Sequence, residues 1–288
     1  MLKISKFVDR NVYYVEIPGY RSEVLDLMLK RNVTTVPIVR KGTRRLVGVI
    51  TKRELVAQPD EEQLAMIVRR DIEIPHEEDL LDKAIEIMIK EEIEELPVCN
   101  SNNELLGVLK ISDILRRVVS IMKIEDTIKG YYDNLVPCVW IETPLRVAMS
   151  VMKYLKTDTL VVLNNESQIV GLITDKDLIR QVEIIVREMK SDISAPSEGE
   201  AWSWDPITLV YVTKLEMTVP LHLKVSDIMR REVPTVSEFT SISRCARLMV
   251  QRNTDRLLVL DTRGEPAGIL RGMDVLRAFH HKIIRRAY

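Results

Sequence analysis

The sequence predicts an α/β (α+β) fold in which one β-α-β-β-α unit is used four times. The units are expected to pair into two modules, with an extra β segment inserted between the third and fourth. Three observations predict this. An apolar strand, a short polar turn and a second strand carrying a glycine recur four times along the 288 residues. An amphipathic helix with apolar residues at i, i+3 and i+4 spacing precedes each strand pair. Finally, Leu209, Tyr211, Thr213, Leu215, Met217 and Val219 mark a stretch of period-two alternation that the other units lack.

The elements justify themselves in chain order. In the first unit Val24, Leu27 and Met28 define the helix stripe; Val36-Pro37-Ile38-Val39 and Leu46-Val47-Gly48-Val49-Ile50 are the strands, and Thr51-Lys52-Arg53-Glu54 opens a second helix. The second unit has Leu81, Ala84, Ile85 and Met88, then Leu96-Pro97-Val98-Cys99, then Leu105 to Leu109 around Gly107, then Lys110-Ile111-Ser112-Asp113. The third has Val147, Ala148, Val151 and Met152, then Leu160 to Leu163, then Ile169 to Ile173 around Gly171, then Thr174-Asp175-Lys176-Asp177. The fourth has Ile242, Cys245, Ala246 and Met249, then Leu257 to Leu260, then Pro266 to Leu270 around Gly268, then Arg271-Gly272-Met273-Asp274. Successive glycines are 59, 64 and 97 residues apart, so the last interval carries roughly thirty-five extra residues, about 190–224. A unit of about 60 residues is small for an independent core and is expected to pair with its neighbour. The boundaries drawn are 1–123 for the first module and 124–288 for the second.

Composition narrows the function. Hydrophobic residues make up 46% and charged residues 30%, as in an ordinary globular protein. No apolar run approaches the ~18 residues of a membrane span, and the start lacks the apolar core of a signal peptide, so a cytoplasmic protein without a membrane role is expected. With 42 basic and 43 acidic residues the net charge is −1, which opposes nucleic-acid binding. The basic end (Arg277, Lys282, Arg285, Arg286) fits a solvated helix face. Cys99, Cys138 and Cys245 form no CxxC pair and are expected to be small buried hydrophobes. Four scattered histidines give no metal-ligand spacing, so no metal is expected. Paired catalytic carboxylates, a nucleophile elbow and a Cys–His arrangement are not recognisable, and the chain is expected not to be an enzyme.

The apolar–Pro–Val strand followed by a Gly–apolar–apolar–Thr/Ser–x–x–Asp corner resembles the CBS domain, named after cystathionine β-synthase. All four units match in outline and cover nearly the whole chain. The resemblance implies two Bateman modules, a homodimer, an adenosine-containing ligand in the cleft between paired repeats, and an unidentified protein partner.

The physics of the corner agrees. A glycine lacks the Cβ that would keep a ligand from the backbone, the following helix offers free N–H groups to phosphate, and an acid in its first turn accepts hydrogen bonds from a ribose diol. The competing account is a capping box without any ligand, and Thr51 with Glu54 fits that account best. Lys110 and Arg271 replace the threonine in units two and four, where neither side chain can accept a hydrogen bond, so the capping box is expected to be lost there, yet Asp113 and Asp274 remain.

By the family pattern one site takes ribose on Thr174 and Asp177 and phosphate on Arg256, with Cys138 and Val139 offering backbone to the adenine. A twin site uses Asp274, with Lys176 or Arg271 as the cation and Thr235 beside the base. Asp113 with Arg53 is the weaker candidate in the first module. No cofactor is required; the expected ligand is AMP, ADP or ATP. Asp158 and Asp255 beside the phosphate position point instead toward S-adenosylmethionine or methylthioadenosine. An interaction scaffold with decayed sites is the alternative from another class. Trp202 and Trp204, two apart in the inserted stretch, are expected to cover an edge of the second module's sheet, with stacking on a base or docking a partner as the alternatives, and Trp140 to be plain packing.

Overall fold

The computed structural model describes residues 2–58, 61–179, 181, 183–190, 211–218 and 222–284. Unit one runs β1 (Val15–Ile17), α1 (Arg21–Arg31), β2 (Thr35–Arg40), β3 (Leu46–Thr51) and α2 (Lys52–Ala57). Unit two has a helical turn α3 (Leu64–Ile67), then α4 (Leu81–Glu91), β4 (Glu95–Cys99), β5 (Leu105–Lys110) and α5 (Ile111–Ile114), which a π-helical stretch continues through Leu115–Val119. Unit three has β6 (Cys138–Trp140), α6 (Leu145–Leu155), β7 (Thr159–Leu163), β8 (Ile169–Thr174) and α7 (Asp175–Ile179). A hairpin of β9 (Glu183–Lys190) and β10 (Tyr211–Thr218) follows. Unit four has a turn α8 (Val225–Ile228), then β11 (Thr235–Ser237), α9 (Ile242–Gln251), β12 (Arg256–Leu260), β13 (Pro266–Arg271) and α10 (Gly272–Phe279), with a π-helical end at His280–Ile284.

In units one, three and four a short first strand pairs parallel with the second, which pairs antiparallel with the third. Unit two departs from the expected β-α-β-β-α pattern: its first strand shrinks to one bridge between His76 and Cys99. The expected inserted strand is 211–218, and its partner 183–190 lies ahead of the boundary drawn from repeat spacing. Trp202 and Trp204 lie outside the described residues.

The recurring glycines serve the pairing of units. At each one a chain segment of the neighbouring unit crosses the second strand of the hairpin and bonds to it in both directions. Asp9 N–H donates to the Val108 carbonyl at 2.8 Å and accepts from Val108 N–H at 3.0 Å. Arg69 bonds in the same way to Val49, Asp133 to Ile269 and Arg230 to Leu172. A Cβ on Gly107 would sit 2.3 Å from the Asp9 carbonyl oxygen, and one on Gly48 2.1 Å from that of Arg69. The exchange is reciprocal between units one and two and between units three and four. What approaches these glycines is protein backbone, which corrects the expectation of a ligand there.

Each pair also buries side chains, and the pairs meet through a larger core. Val161, Leu172, Leu258 and Ile269 pack between units three and four. Ile85 and Met88 of α4, Ile114 and Leu115 after β5, Cys245 and Met249 of α9, and Leu276 of α10 belong to one core joining units two and four. The predicted stripes of α4 and α9 are buried throughout. On α6, Ala148 and Met152 are buried, but Val147 is exposed. Cys99 and Cys245 are buried as expected, whereas Cys138 is exposed. Burial pushes the Cys99 thiol up to about 11.

Candidate functional site

The strand pairs of all four units start near one another, and their first residues meet. In the first module the Glu95 carboxylate accepts from Thr34 N–H at 2.9 Å and Thr35 N–H at 3.2 Å. In the second, Arg256 at the equivalent position donates Nε to Thr159 Oγ1 at 3.2 Å and Nη2 to Asp158 at 2.9 Å. Arg256 also pairs with Asp255 at 3.2 Å and is almost wholly buried. Burial works against its charge, but Asp255, Asp158 and Glu94 together hold its pKa above the ordinary range. The Arg256 side chain proposed for phosphate is therefore already committed to carboxylates of its own chain.

Ionic contacts then tie the modules together. Lys176 Nζ donates to Asp255 at 2.6 Å and to Glu94 of unit two at 3.0 Å. Lys52 of unit one pairs with Asp175 of unit three. Burial raises the Asp255 pKa, but Arg256 and Lys176 outweigh it and hold the carboxyl at about 2.

The structure brings Thr174 and Asp177 together. Asp177 Oδ2 accepts from Thr174 N–H at 3.0 Å and from its hydroxyl at 2.6 Å, while Oδ1 accepts Nε and Nη2 of Arg230, both at 3.1 Å. Asp177 is buried. The same corner recurs in unit one, where Glu54 accepts from Thr51 N–H and hydroxyl at 2.7 and 2.6 Å.

In unit four the reading that Arg271 abolishes the cap is corrected by half. Asp274 Oδ2 still accepts Arg271 N–H at 2.9 Å and gains the Arg271 Nε at 3.1 Å, while Arg277 takes Oδ1 at 2.9 Å. The carboxylate half of a capping box needs only a backbone donor, so it survives loss of the threonine.

Two cavities open on this centre. One of about 400 Å³ is lined by Lys176, Arg230, Asp255 and Gly272 together with Glu94 and Arg116 of unit two. The other, of about 250 Å³, is walled by Thr51, Arg53, Arg69, Asp158, Asp175 and Arg256. Both contain Lys176.

The remaining candidates are dispersed. Cys138 and Val139 lie on β6 and are separated from β8 by β7. Thr235 is exposed on β11, paired with Leu258. Asp113 lines neither cavity, and Arg53 lines the smaller, so this pair is not brought together.

Sequence reasoning missed Arg230, Glu94 and Asp175. A signal for Arg230 was present: Val8-Asp9, Val68-Arg69, Tyr132-Asp133 and Met229-Arg230 are the same apolar–charged pair, leading into each unit in turn.

The CBS domain model matches residues 4–60, 64–120, 134–184 and 225–281. Uncharacterized protein MJ1225 of Methanocaldococcus jannaschii is 21% identical over 279 residues, 89% of this chain and 91% of that one. Its crystal structure, described as that of a candidate archaeal homologue of g-AMPK, has a TM-score of 0.67 at 20% identity and covers 96% of this chain and 100% of that one. An uncharacterized conserved protein of Pyrococcus horikoshii gives 0.61 at 22% identity, covering 96% and 99%. Inosine-5'-monophosphate dehydrogenase of Thermoplasma acidophilum is 32% identical over 108 residues, 38% of this chain; the match spans only 22% of that enzyme. Four matched segments account for most of the sequence, and the chain belongs to the CBS domain family.

Proposed function

We propose that the protein is a non-enzymatic regulator that binds an adenosine-containing ligand (AMP, ADP or ATP) in its second module, with the ribose diol on Asp177. The observation that carries this reading is the double engagement of Asp177. One carboxylate oxygen is fixed by Thr174 at the helix entrance, and the other is held, among the described residues, by Arg230, a side chain on the wall of the 400 Å³ cavity. A volume of that size suits a small-molecule site. A diol bonded to Oδ1 displaces Arg230 and releases a guanidinium, beside Lys176, for an anionic tail.

Signal output follows from the same contacts. Arg230 belongs to the segment that crosses Gly171, and Lys176 bridges the two modules. An anion competing for both weakens the pairing of units three and four and the contact between modules, in amounts set by its differential affinity for the two arrangements, typically ~1–3 kcal/mol. A protein partner reads the change.

A second reading has its own support. Glu94, Asp158, Asp175 and Asp255 crowd the place where a phosphate would sit, and this favours an uncharged or cationic tail, as in methylthioadenosine or S-adenosylmethionine. Titration calorimetry with AMP, ATP, S-adenosylmethionine and methylthioadenosine separates the two. The nucleotide reading expects the phosphorylated compounds to bind best and Asp177→Asn to abolish binding. Affinity unchanged in Asp177→Asn would overturn the site, and silence with all four compounds would overturn adenosine binding.

A further inference from the structure

The turn between β2 and β3 departs from its three counterparts. Its closing pair is Arg40 and Arg45, with Arg40 N–H donating to the Arg45 carbonyl at 3.0 Å. The same backbone bond joins Asn100 to Glu104, Asn164 to Gln168 and Asp261 to Glu265 in units two to four. In units two and three side chains knit the pair further, Asn100 Nδ2 donating to Glu104 at 2.7 Å and Asn164 Nδ2 to Gln168 at 3.1 Å. Unit one sets two arginines against each other instead and adds Lys41 and Arg44 within the turn, Arg40-Lys41-Gly42-Thr43-Arg44-Arg45. All six residues are exposed, and none of the four cations pairs with a carboxylate among the described residues. The turn of unit two runs alongside, Leu105 N–H donating to the Arg44 carbonyl at 2.8 Å, but its one acid, Glu104, accepts from Asn100. Like charges placed opposite each other on a hairpin destabilise it. The cluster therefore works against the fold until an anion neutralises it.

Aromatic rings stand beside it. Tyr13 and Tyr14 precede β1; the Arg31 guanidinium lies 4.6 Å from the Tyr13 ring centre and that of Arg44 5.4 Å from the Tyr14 ring centre. Tyr14 is exposed. The place is remote from the central cavities. Strand starts meet at the centre, the turn lies at the other end of the six-residue β2, about 17 Å away, and residues 40–45 line neither cavity. We propose that the β2–β3 turn binds the phosphodiester backbone of a single-stranded nucleic acid, with Tyr14 stacking on a base. Three of the four cations are arginines, whose planar forks take two phosphate oxygens at a time. An exposed ring beside a guanidinium suits an unstacked base, which a single strand offers and a duplex does not. A membrane surface fits less well, since the turn carries no apolar side chain to enter it. The net charge of −1 conceals a strong local polarity: residues 1–60 carry 12 basic and 6 acidic side chains, and residues 61–123 carry 8 and 15.

Fluorescence anisotropy of labelled oligouridylate and oligothymidylate with the full chain tests this, one probe for RNA and one for DNA. The parent binds at least one of them, with an affinity that falls steeply from about 50 to 200 mM salt. The triple variant Lys41→Gln, Arg44→Gln, Arg45→Gln changes only exposed side chains. It binds about tenfold more weakly or worse, and the slope of log affinity against log salt becomes shallower by about 2. Tyr14→Ala weakens binding about fivefold or more, and Tyr14→Phe restores it. Four results each overturn the proposal. The parent does not bind at low salt; the triple variant or Tyr14→Ala binds like the parent; excess AMP at constant ionic strength displaces the strand, which places it in the central cavity; or phosphatidylserine vesicles bind more tightly than either probe, which assigns the turn to a membrane.

Discussion

Single residues set the local terms. Gly107 is needed because the Asp9 backbone lies against it, and any side chain must push that segment off Val108. Gly107→Ala is expected to cost about 2–4 kcal/mol, from the clash and two strained or lost buried hydrogen bonds, and urea unfolding should show the midpoint fall. A midpoint unchanged from the parent would mean that the crossing segment is not held there. Arg230 shows what sequence could and could not reveal. The corner acids at 177 and 274 were legible because a helix entrance wants a carboxylate, and both are where that rule puts them. The sequence pointed to Arg256 as the basic partner, and in the fold Arg256 is paired with Asp158 and Asp255 while Arg230 is the guanidinium on Asp177, because position relative to a strand says nothing of which side chain a distant segment delivers. Asp158 and Asp255, noted as awkward for phosphate, turn out to hold Arg256 themselves.

At the scale of elements, the repeat grammar was readable nearly everywhere: period two for strands, i, i+3, i+4 for helices, glycine in the crossed strand. It faltered where tertiary context overrides pattern. The first strand of unit two dwindles to a bridge. The partner strand 183–190 was hidden because Glu183, Arg187 and Glu188 break up its apolar residues, and Val147 reads as core but faces solvent. The helix ends hold an untapped reserve of stability. Lys156 closes α6 at φ 51°, a left-handed conformation that suits glycine. Lys156→Gly should therefore stabilise the chain by about 1 kcal/mol, visible as a higher melting temperature. A lower melting temperature would contradict this assignment of strain.

For the whole molecule, pairing units one with two and three with four places charged strand starts at a common centre, where Lys176 joins Glu94 to Asp255. Asp255 is held at about 2 against an ordinary 3.8. A depressed carboxylate stabilises the fold above its unfolded pKa and loses that contribution as pH falls through the folded value. Its share is therefore constant from neutral pH to about 4 and disappears toward 2. Lys176→Met should flatten that acid limb in part, since Arg256 still pairs with Asp255, cost about 1–3 kcal/mol at pH 7 by removing the nearer cation from Glu94 and Asp255, and raise hydrogen exchange in α9. An acid limb identical to the parent's would contradict this part of the account. The account rests most heavily on the sugar-binding role of Asp177, which a comparison of AMP with its 2′-deoxy analogue by calorimetry tests directly. Hydrogen bonds to a buried carboxylate predict that the deoxy compound binds about tenfold to a hundredfold more weakly; equal affinities would contradict it.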